Sequence, residues 1–313
     1  MVRASTICAV VCTYNRYDLL EKAIESLAAQ QISRDRFSIM IVDNSPDPLR
    51  AEKESAKYRD IPGLVYRYES TAGLSNARNV AARESEADVV AYLDDDAIAS
   101  PCWAASLIDA FNFGETIGIV GGRIMPLWES DRPSWLADSL LGYVSVVDWG
   151  GDTRVAGESE WFAGANISFR RQCIIEAGFF DTNLGRTGAG ASLLSNEEVA
   201  LVRRIHGLGY RSVYCPKASV DHLVENKRLS QHWFRSRVVW QAISDFLASD
   251  KGAAVVTTPD WAWVLEYLSS QRPENRSIRG LYVDQASPRD FTQQLAALYN
   301  FTLSLLAGFR GVR

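Results

Sequence analysis

The chain has 313 residues, of which 47% are hydrophobic and 23% charged, with 33 basic against 38 acidic side chains. This composition excludes a mainly disordered chain, and the net charge of -5 argues against a nucleic-acid binder, which normally carries a basic face. No apolar run reaches the roughly 20 residues of a membrane-spanning helix, the N-terminus lacks a signal-peptide pattern, and the five cysteines have neither disulfide nor zinc spacing. We therefore expect a cytoplasmic protein.

Strand and helix patterns alternate along the first part of the chain. A continuous apolar run at 7–12 predicts a strand buried on both faces, and apolar residues at helical spacing over 19–27 predict a helix with Asp18 as its N-cap. The next predicted elements are, in chain order, strand 37–42, a helix rich in Lys and Glu, strand 64–68, helix 74–83 and strand 88–93. This order predicts an α/β fold with a doubly wound, mostly parallel sheet.

The pattern is less regular beyond residue 125. Tryptophans among Gly, Ser and Asp residues between 128 and 161 predict long surface loops. An amphipathic helix is predicted over 197–206, closed by Gly207, and a strand over 210–214. Because the pattern beyond Leu229 is helical almost to the end, we divide the chain into residues 1–125, 126–226 and 227–313.

Polar clusters follow three of the predicted strands, namely Thr13-Tyr14-Asn15, Asp43-Asn44 and Asp94-Asp95-Asp96. In an open parallel sheet, ligands bind outside the carboxyl ends of the strands. Three consecutive carboxylates repel one another unless a cation is bound, and hard divalent ions prefer oxygen ligands. The third cluster therefore predicts a site for a magnesium- or manganese-bound diphosphate, with a solvated acidic turn as the alternative.

An ordered set of motifs resembles family 2 glycosyltransferases, which have the GT-A fold. The matching segments, spread over about residues 6–225, are Val10 to Arg16, Ile41 to Ser45, Gly73 to Asn79, Tyr92 to Asp96, Gly164 to Arg171, Gly178 to Asp181, Asn196 to Glu198 and Pro216 to His222. The resemblance implies a metal-dependent, inverting transfer from a nucleotide-sugar, in the first place a UDP-sugar, to an acceptor hydroxyl. It places the protein in bacterial polysaccharide or glycoconjugate synthesis.

The resemblance also implies which residues bind the donor. These are Thr13, Tyr14, Asn15, Arg16, Asp43, Asn44, Gly73, Arg78, Asp94 and Asp95. Asp43 and Asn44 are expected beside the nucleobase, although the family usually has a second acid where Asn44 stands. Asp94 is expected at the ribose or donor sugar, and Arg78 at the phosphates or sugar. Asp96 and His222 are expected to ligate Mn²⁺ or Mg²⁺.

The general base implied by the resemblance is Glu198, at the start of the predicted helix 197–206. The family usually has Asp at this position, so the carboxylate here reaches about one ångström further. Glu197 is the alternative base. Both acids also suit a helix N-terminus electrostatically, which is the purely structural interpretation.

The three parts of the chain then take different roles. Residues 1–125 are expected to bind the nucleotide-sugar, and residues 126–226 a carbohydrate or lipid-linked acceptor. The loop from Thr182 to Ser195, which contains the Gly-rich stretch from Gly185 to Gly190, is expected to act as a lid that excludes water. The C-terminal helices, 227–313, are expected to form a homodimer contact or to touch the inner face of the membrane. The basic and aromatic segment from Lys227 to Arg237 either closes over the diphosphate or is a solvated helix face.

Two other functions remain open from the sequence. A nucleotidyltransferase also uses carboxylates and magnesium on an α/β sheet, but residues 13–17 contain no glycine for a phosphate loop. The second is a non-catalytic carbohydrate-binding protein that has kept the fold, an interpretation supported by the departures at Asn44 and Glu198. Donor hydrolysis in the presence of manganese separates an enzyme from a binding protein.

Overall fold

The computed structural model describes residues 3–188, 193–250 and 259–310, which belong to two compact units. The first unit comprises residues 1–127, 145–191 and 197–223, and the second comprises residues 128–144, 192–196 and 224–313. The described strands are β1 Ile7–Thr13, β2 Phe37–Asp43, β3 Leu64–Tyr68, β4 Val89–Asp94, β5 Ala97–Ala99, β6 Ile117–Trp128, β7 Arg154–Val155, β8 Asn166–Arg170 and β9 Arg211–Val224. The α-helices beside them are α1 Tyr17–Ala28, α2 Pro48–Ser55, α3 Leu74–Glu84, α4 Trp103–Phe111, α5 Arg171–Glu176 and α6 Glu197–Gly207.

The strands form one sheet in the order β3-β2-β1-β4-β8-β6-β9-β5, with β7 beside β9. The first four strands are parallel, with β1 between β2 and β4. Alternate residues of β1 enter two different apolar clusters: Ile7, Ala9 and Val11 pack with α1 and α4, while Cys8 and Val10 pack with α3, α5 and α6. A strand covered by helices on both faces is apolar at every position, so the predicted strands and the α/β class are confirmed.

The other half of the sheet is antiparallel, and most of it was not predicted. Strand β8 pairs with β4, and β6 pairs with β8. Strand β6 was not predicted, and it contains Gly121 and Gly122. A Cβ at Gly121 would lie 1.9 Å from the Phe162 ring, and one at Gly122 would lie 1.9 Å from the Ala218 carbonyl oxygen. These glycines permit close packing inside a strand. Between residues 129 and 161 the structure consists of loops, a 3₁₀ helix at Asp138–Val144 and the two-residue strand β7, in agreement with the loops predicted there.

Helix α1 begins two residues earlier than predicted, and Asp18 is not its N-cap. The Arg16 carbonyl accepts the first helical N–H groups, from Leu19 and Leu20, and no side chain caps this end. Asn15, with φ of 57°, makes the turn that ends β1 and places Arg16 at the helix start. Asp18 therefore lies in the first turn, where its negative charge favours the helix N-terminus without capping it.

The second unit is built on three helices, α7 Gln231–Asp250, α8 Trp261–Ser270 and α9 Pro288–Arg310. Helix α9 packs on both α7 and α8, and the rings of Trp135, Phe234 and Phe291 contact one another edge to face. The predicted helical C-terminal region is confirmed. Among the residues that the structure describes, no helix is both long and apolar enough to cross a bilayer.

Candidate active site

The parallel strands bring the predicted polar clusters to one edge of the sheet. Thr13, the last residue of β1, is in register with Asp43 of β2, and the residue before it, Cys12, is in register with Asp94 of β4. Because neighbouring parallel strands lie about 4.8 Å apart, these clusters form one polar surface at their carboxyl ends. The candidate site is built on this surface.

The acidic cluster is tied to the turn after β1. Thr13 Oγ1 donates to Asp95 Oδ2 at 2.8 Å. The Arg16 guanidinium contacts two carboxylates, with Nη1 3.0 Å from Asp95 Oδ1 and Nη2 2.8 Å from Asp96 Oδ2. Burial, together with the charges of Asp96 and Asp94, raises the pKa of Asp95 to about 7, although Arg16 opposes that shift. The cluster thus carries more negative charge than its surroundings readily accommodate.

An antiparallel pairing brings His222 to this cluster. Strand β9 lies beside β5 with His222 opposite Ala97, so His222 Nε2 lies 3.2 Å from Asp96 Oδ1. One potential ligand atom from each of Asp94, Asp96 and His222 lies within 4.8 Å of the other two. The structure therefore brings together Asp96 and His222, the two predicted metal ligands. It adds Asp94, which the resemblance placed at the ribose or donor sugar.

Asp43 is fully buried and already hydrogen-bonded. Its Oδ2 accepts from the hydroxyls of Tyr17, at 2.9 Å, and Tyr66, while Oδ1 accepts from the backbone N–H and hydroxyl of Ser45. Both oxygens are thus engaged by the protein. Tyr66 was not predicted as a site residue, and it reaches Asp43 because β3 is the neighbour of β2.

Asn44 joins the end of β2 to the loop before α3. Its Oδ1 accepts from the Gly73 N–H at 2.6 Å, and its Nδ2 donates to the carbonyls of Glu69 and Thr71, both at 2.7 Å. A carboxylate could not donate these two bonds, which explains Asn where the family usually has an acid. In this structure the amide oxygen expected to face the nucleobase is bonded to Gly73 instead.

Gly73 allows α3 to start immediately after this loop. Its φ of 138° lies in a region that L side chains rarely adopt, and the next residue, Leu74, is the first of the helix. The Leu74 N–H donates to the Arg186 carbonyl at 2.9 Å, and Ser75 Oγ donates to the Leu184 carbonyl at 2.7 Å. The Gly-rich segment therefore lies against the start of α3.

The same segment reaches the turn after β1. A Cβ at Gly188 would lie 3.3 Å from the Tyr14 hydroxyl, so the backbone there packs closely on this side chain. The Asn15 N–H donates to Ser45 Oγ at 2.8 Å, which ties this turn to β2. The predicted lid falls only partly within the structure, since residues 189–192, Gly190 included, lie outside the described residues.

Arg78 is buried against the start of α6. Its Nη1 donates to Glu197 Oε1 at 2.9 Å, and Nη2 lies 3.9 Å from Asp94 Oδ1. Burial disfavours the charged form, but the charges of Glu197, Glu198 and Asp94 raise the pKa of Arg78 above its usual range. Arg78, which was predicted to contact the donor, therefore donates to Glu197 and lies near Asp94.

The two glutamates at the start of α6 have different surroundings. Glu197 is buried, and this burial, with the charge of Glu198, raises its pKa to about 8 against the effect of Arg78. Glu198 is partly exposed, and its Oε1 accepts from the Gly164 N–H at 3.2 Å. Within the described residues, Oε2 of each glutamate is a buried atom without a hydrogen-bond partner. Buried polar atoms normally have a hydrogen-bond partner, so both oxygens are candidate partners for a bound ligand.

Gly164 is a site residue that the sequence indicated only as part of a motif. A Cβ there would lie 2.1 Å from Arg78 Nη2, so no larger residue fits beside the buried guanidinium. It precedes β8, and its N–H reaches Glu198. The signal in the sequence was the segment Gly164 to Arg171, without any indication of which contact the glycine makes.

Comparison with known proteins matches this fold and site to sugar transferases. A family model described as "Glycosyl transferase family 2" matches residues 8–172. The chain is 27% identical over 312 residues to a glucosyl-dolichyl phosphate glucuronosyltransferase of Haloferax volcanii, and the match covers 97% of this chain and 95% of that protein.

Two solved structures show the same fold. One is the mannosyltransferase PcManGT of Pyrobaculum calidifontis in complex with GDP-Man and Mn²⁺, with a TM-score of 0.62 and 19% identity over 97% of this chain and 88% of that chain. The other is GalNAc-T7 with UDP, GalNAc and Mn²⁺, with a TM-score of 0.55 and 16% identity over 80% of this chain and 51% of that chain. The GT-A type of fold predicted from the motifs is confirmed.

Proposed function

The chain belongs to glycosyl transferase family 2, and from that premise we propose that it transfers a sugar from a UDP-sugar to an acceptor hydroxyl with inversion, assisted by a divalent cation. One observation carries the proposal, namely that Asp94, Asp96 and His222 converge at the carboxyl ends of the strands. This is the place where an open α/β sheet binds its ligands.

The donor set fits a divalent cation. Two carboxylates and an imidazole suit Mn²⁺, and the carboxylates also suit Mg²⁺. His222 lies on a strand and Asp94 ends one, so the backbone positions of these two ligands are fixed by the sheet. A cation held by Asp94, Asp96 and His222 would neutralise the charge that develops on the diphosphate leaving group.

Glu198 is the general base in this proposal. An acceptor hydroxyl must approach a carboxylate oxygen to lose its proton, and Glu198 is the more exposed of the two acids. The Gly164 N–H holds its Oε1, which leaves Oε2 for the acceptor. The acceptor oxygen then attacks the anomeric carbon from the face opposite the diphosphate, which inverts the configuration.

Glu197 has a supporting role. Its Oε1 is bound by Arg78, and the whole side chain is buried, so it is less suited to meet a substrate. Its raised pKa favours a protonated Glu197, which avoids placing two negative charges side by side at the start of α6.

The remaining donor contacts come from the turn after β1 and the loop before α3. Thr13 ends β1 and donates to Asp95, Tyr14 and Asn15 follow it, and Gly73 immediately precedes α3. We propose that these residues border the donor site. Since Asp43 and Asn44 are bonded within the protein, their proposed role is to shape this border. A neighbour with 16% identity holds UDP, and one with 19% identity holds GDP-Man, so both nucleotides belong in the test.

The proposed acceptor is a glycan or a lipid-linked saccharide, in polysaccharide or glycoconjugate synthesis. The Haloferax relative is named for transfer to glucosyl-dolichyl phosphate. Trp261 and Leu265 are exposed one turn apart on α8, a pattern that suits contact with a membrane surface, with a homodimer as the alternative. Sedimentation with lipid vesicles tests the first, and sedimentation equilibrium without lipid tests the second.

The proposal is tested by donor binding and hydrolysis. We expect UDP-sugars to raise the melting temperature in the presence of Mn²⁺ and much less without it, and donor hydrolysis to accompany binding. Asp96→Asn should abolish the manganese-dependent part, whereas Asp109→Ala, which removes an exposed acid on α4, should not. If the chain binds the donor but neither hydrolyses nor transfers it in any acceptor mixture, a carbohydrate-binding protein is favoured. Donor binding that does not depend on manganese would contradict the proposed metal site.

A further inference from the structure

The acidic cluster already has an intramolecular cation. Arg16 Nη1 lies 3.0 Å from Asp95 Oδ1, and Nη2 lies 2.8 Å from Asp96 Oδ2. The side chain of Arg16 is 28% exposed, against 6% for Asp95 and 1% for Asp96, so the guanidinium is the solvent-facing partner. One planar group thus bridges the two buried carboxylates from the more accessible side.

Arg16 and a divalent cation would compete for Asp96. Asp96 offers Oδ1 to the side of His222 and Oδ2 to Arg16. A divalent cation held beside Asp96 would lie within a few ångströms of the guanidinium, where two positive charges repel strongly at a partly buried site. Metal binding is therefore opposed while Arg16 keeps its place.

A diphosphate removes this conflict. Guanidinium groups bind phosphate oxygens with two parallel hydrogen bonds, as they bind carboxylates. The Arg16 carbonyl is fixed by the first N–H groups of α1, so the side chain can change partner while the backbone stays in place. Arg16 lies in the turn that ends β1, at the edge where the donor diphosphate is expected.

From this geometry we propose that Arg16 is an exchangeable counter-ion. It pairs with Asp95 and Asp96 while no ligand is bound and transfers to the diphosphate when the metal-bound nucleotide binds. Metal and nucleotide then bind cooperatively, since each favours the position of Arg16 that the other needs. The inference rests on the proposed function, and it adds the coupling between the two ligands and the residue responsible for it.

The experiment measures that coupling directly. Isothermal titration gives the Mn²⁺ affinity of the wild-type chain alone and with saturating UDP or GDP, and the ratio of the two affinities is the coupling factor. We expect Arg16→Gln to bind Mn²⁺ alone more tightly, to bind UDP with Mn²⁺ more weakly, and to lower the coupling factor about tenfold, equivalent to about 1.4 kcal/mol.

Two further variants serve as controls. Arg50→Gln removes the same charge from a residue whose guanidinium lies over the Tyr17 ring, 4.8 Å from its centroid, and it should leave the coupling factor unchanged. Arg16→Lys keeps the charge but offers one ammonium group instead of a fork, so it should give an intermediate factor. If circular dichroism shows that Arg16→Gln is unfolded, Arg16→Lys is the variant that tests the proposal.

The outcomes separate this inference from the proposed function. If the wild-type chain binds neither nucleotide in the presence of Mn²⁺, the proposed function fails and the inference with it. If the wild-type chain binds both ligands and Arg16→Gln or Arg16→Lys shows the wild-type coupling factor, only the exchange is wrong. Weaker nucleotide binding with unchanged affinity for Mn²⁺ alone would make Arg16 a simple donor contact and also overturn the exchange.

Discussion

Arg78 and Glu197 form a buried hydrogen-bonded pair, with Arg78 Nη1 2.9 Å from Glu197 Oε1 and side-chain exposures of 3% and 5%. The pair joins α3 to the first residue of α6, across 119 positions of the chain. Tyr92 and Phe180 present their rings to the guanidinium at 5.6 and 5.5 Å. The pair therefore fixes the start of α6, and with it Glu198, relative to the parallel strands.

Glu198→Gln tests the base. The variant keeps the size of the side chain and the contact with the Gly164 N–H but cannot take a proton, so we expect turnover to fall about 10²- to 10⁴-fold with nearly unchanged UDP affinity. Glu198→Asp, the residue that the family usually has, should retain part of the activity. Initial rates with radiolabelled donor measure both, and transfer by Glu198→Gln at the parental rate would move the search for the base to Glu197.

The raised pKa of Glu197 predicts a pH dependence of stability in the metal-free protein. Its pKa rises from 4.5 to about 8 on folding, so between these values the folded chain keeps a proton that the unfolded chain loses. The contribution is complete below pH 4.5 and is lost as the pH rises towards 8. Melting temperatures should fall over this window, and less steeply for Glu197→Gln. The exposed Glu52→Gln serves as the control and should keep the wild-type slope.

Asn44→Asp should destabilise the loop before α3. The new carboxylate would face the carbonyls of Glu69 and Thr71 without a proton to donate, and a lost buried hydrogen bond costs about 1–3 kcal/mol. Asn76→Asp is a matched control, because Asn76 Nδ2 also donates to the Thr71 carbonyl, at 2.9 Å, but from a partly exposed position. Urea unfolding compares the two, and equal losses would contradict the role given to Asn44.

Gly164→Ala should disturb both Arg78 and Glu198. The added Cβ would lie 2.1 Å from Arg78 Nη2, and overpacking of this kind costs about 1–3 kcal/mol. Because the Gly164 N–H also holds Glu198, turnover should fall further than stability alone explains. Gly151→Ala, where no heavy atom lies within 4 Å of the new Cβ, should be nearly neutral in both measurements. An active, fully stable Gly164→Ala would show that the guanidinium can move without consequence.

Much of this protein could be read from local patterns. The strands of the parallel half were predicted to within one residue. For β1, β2 and β4 the reason is that a strand buried on both faces is almost continuously apolar. The motifs identified the family, and the parallel sheet implied that Thr13, Asp43 and Asp94 would meet at one edge. These features depend on residues close in sequence or on a rule that holds for every parallel sheet.

The partners of the site residues depend on tertiary contacts and could not be predicted from the sequence. His222 reaches Asp96 through the pairing of β9 with β5, and Asn44 turns its amide to Gly73. Arg78 meets Glu197 through the packing of α3 and α6. The family, the parallel strands and the acidic cluster were predictable from the sequence alone. Partners so distant in the chain are selected by charge, burial and the space beside each residue in the folded chain, and none of these is present in a local pattern.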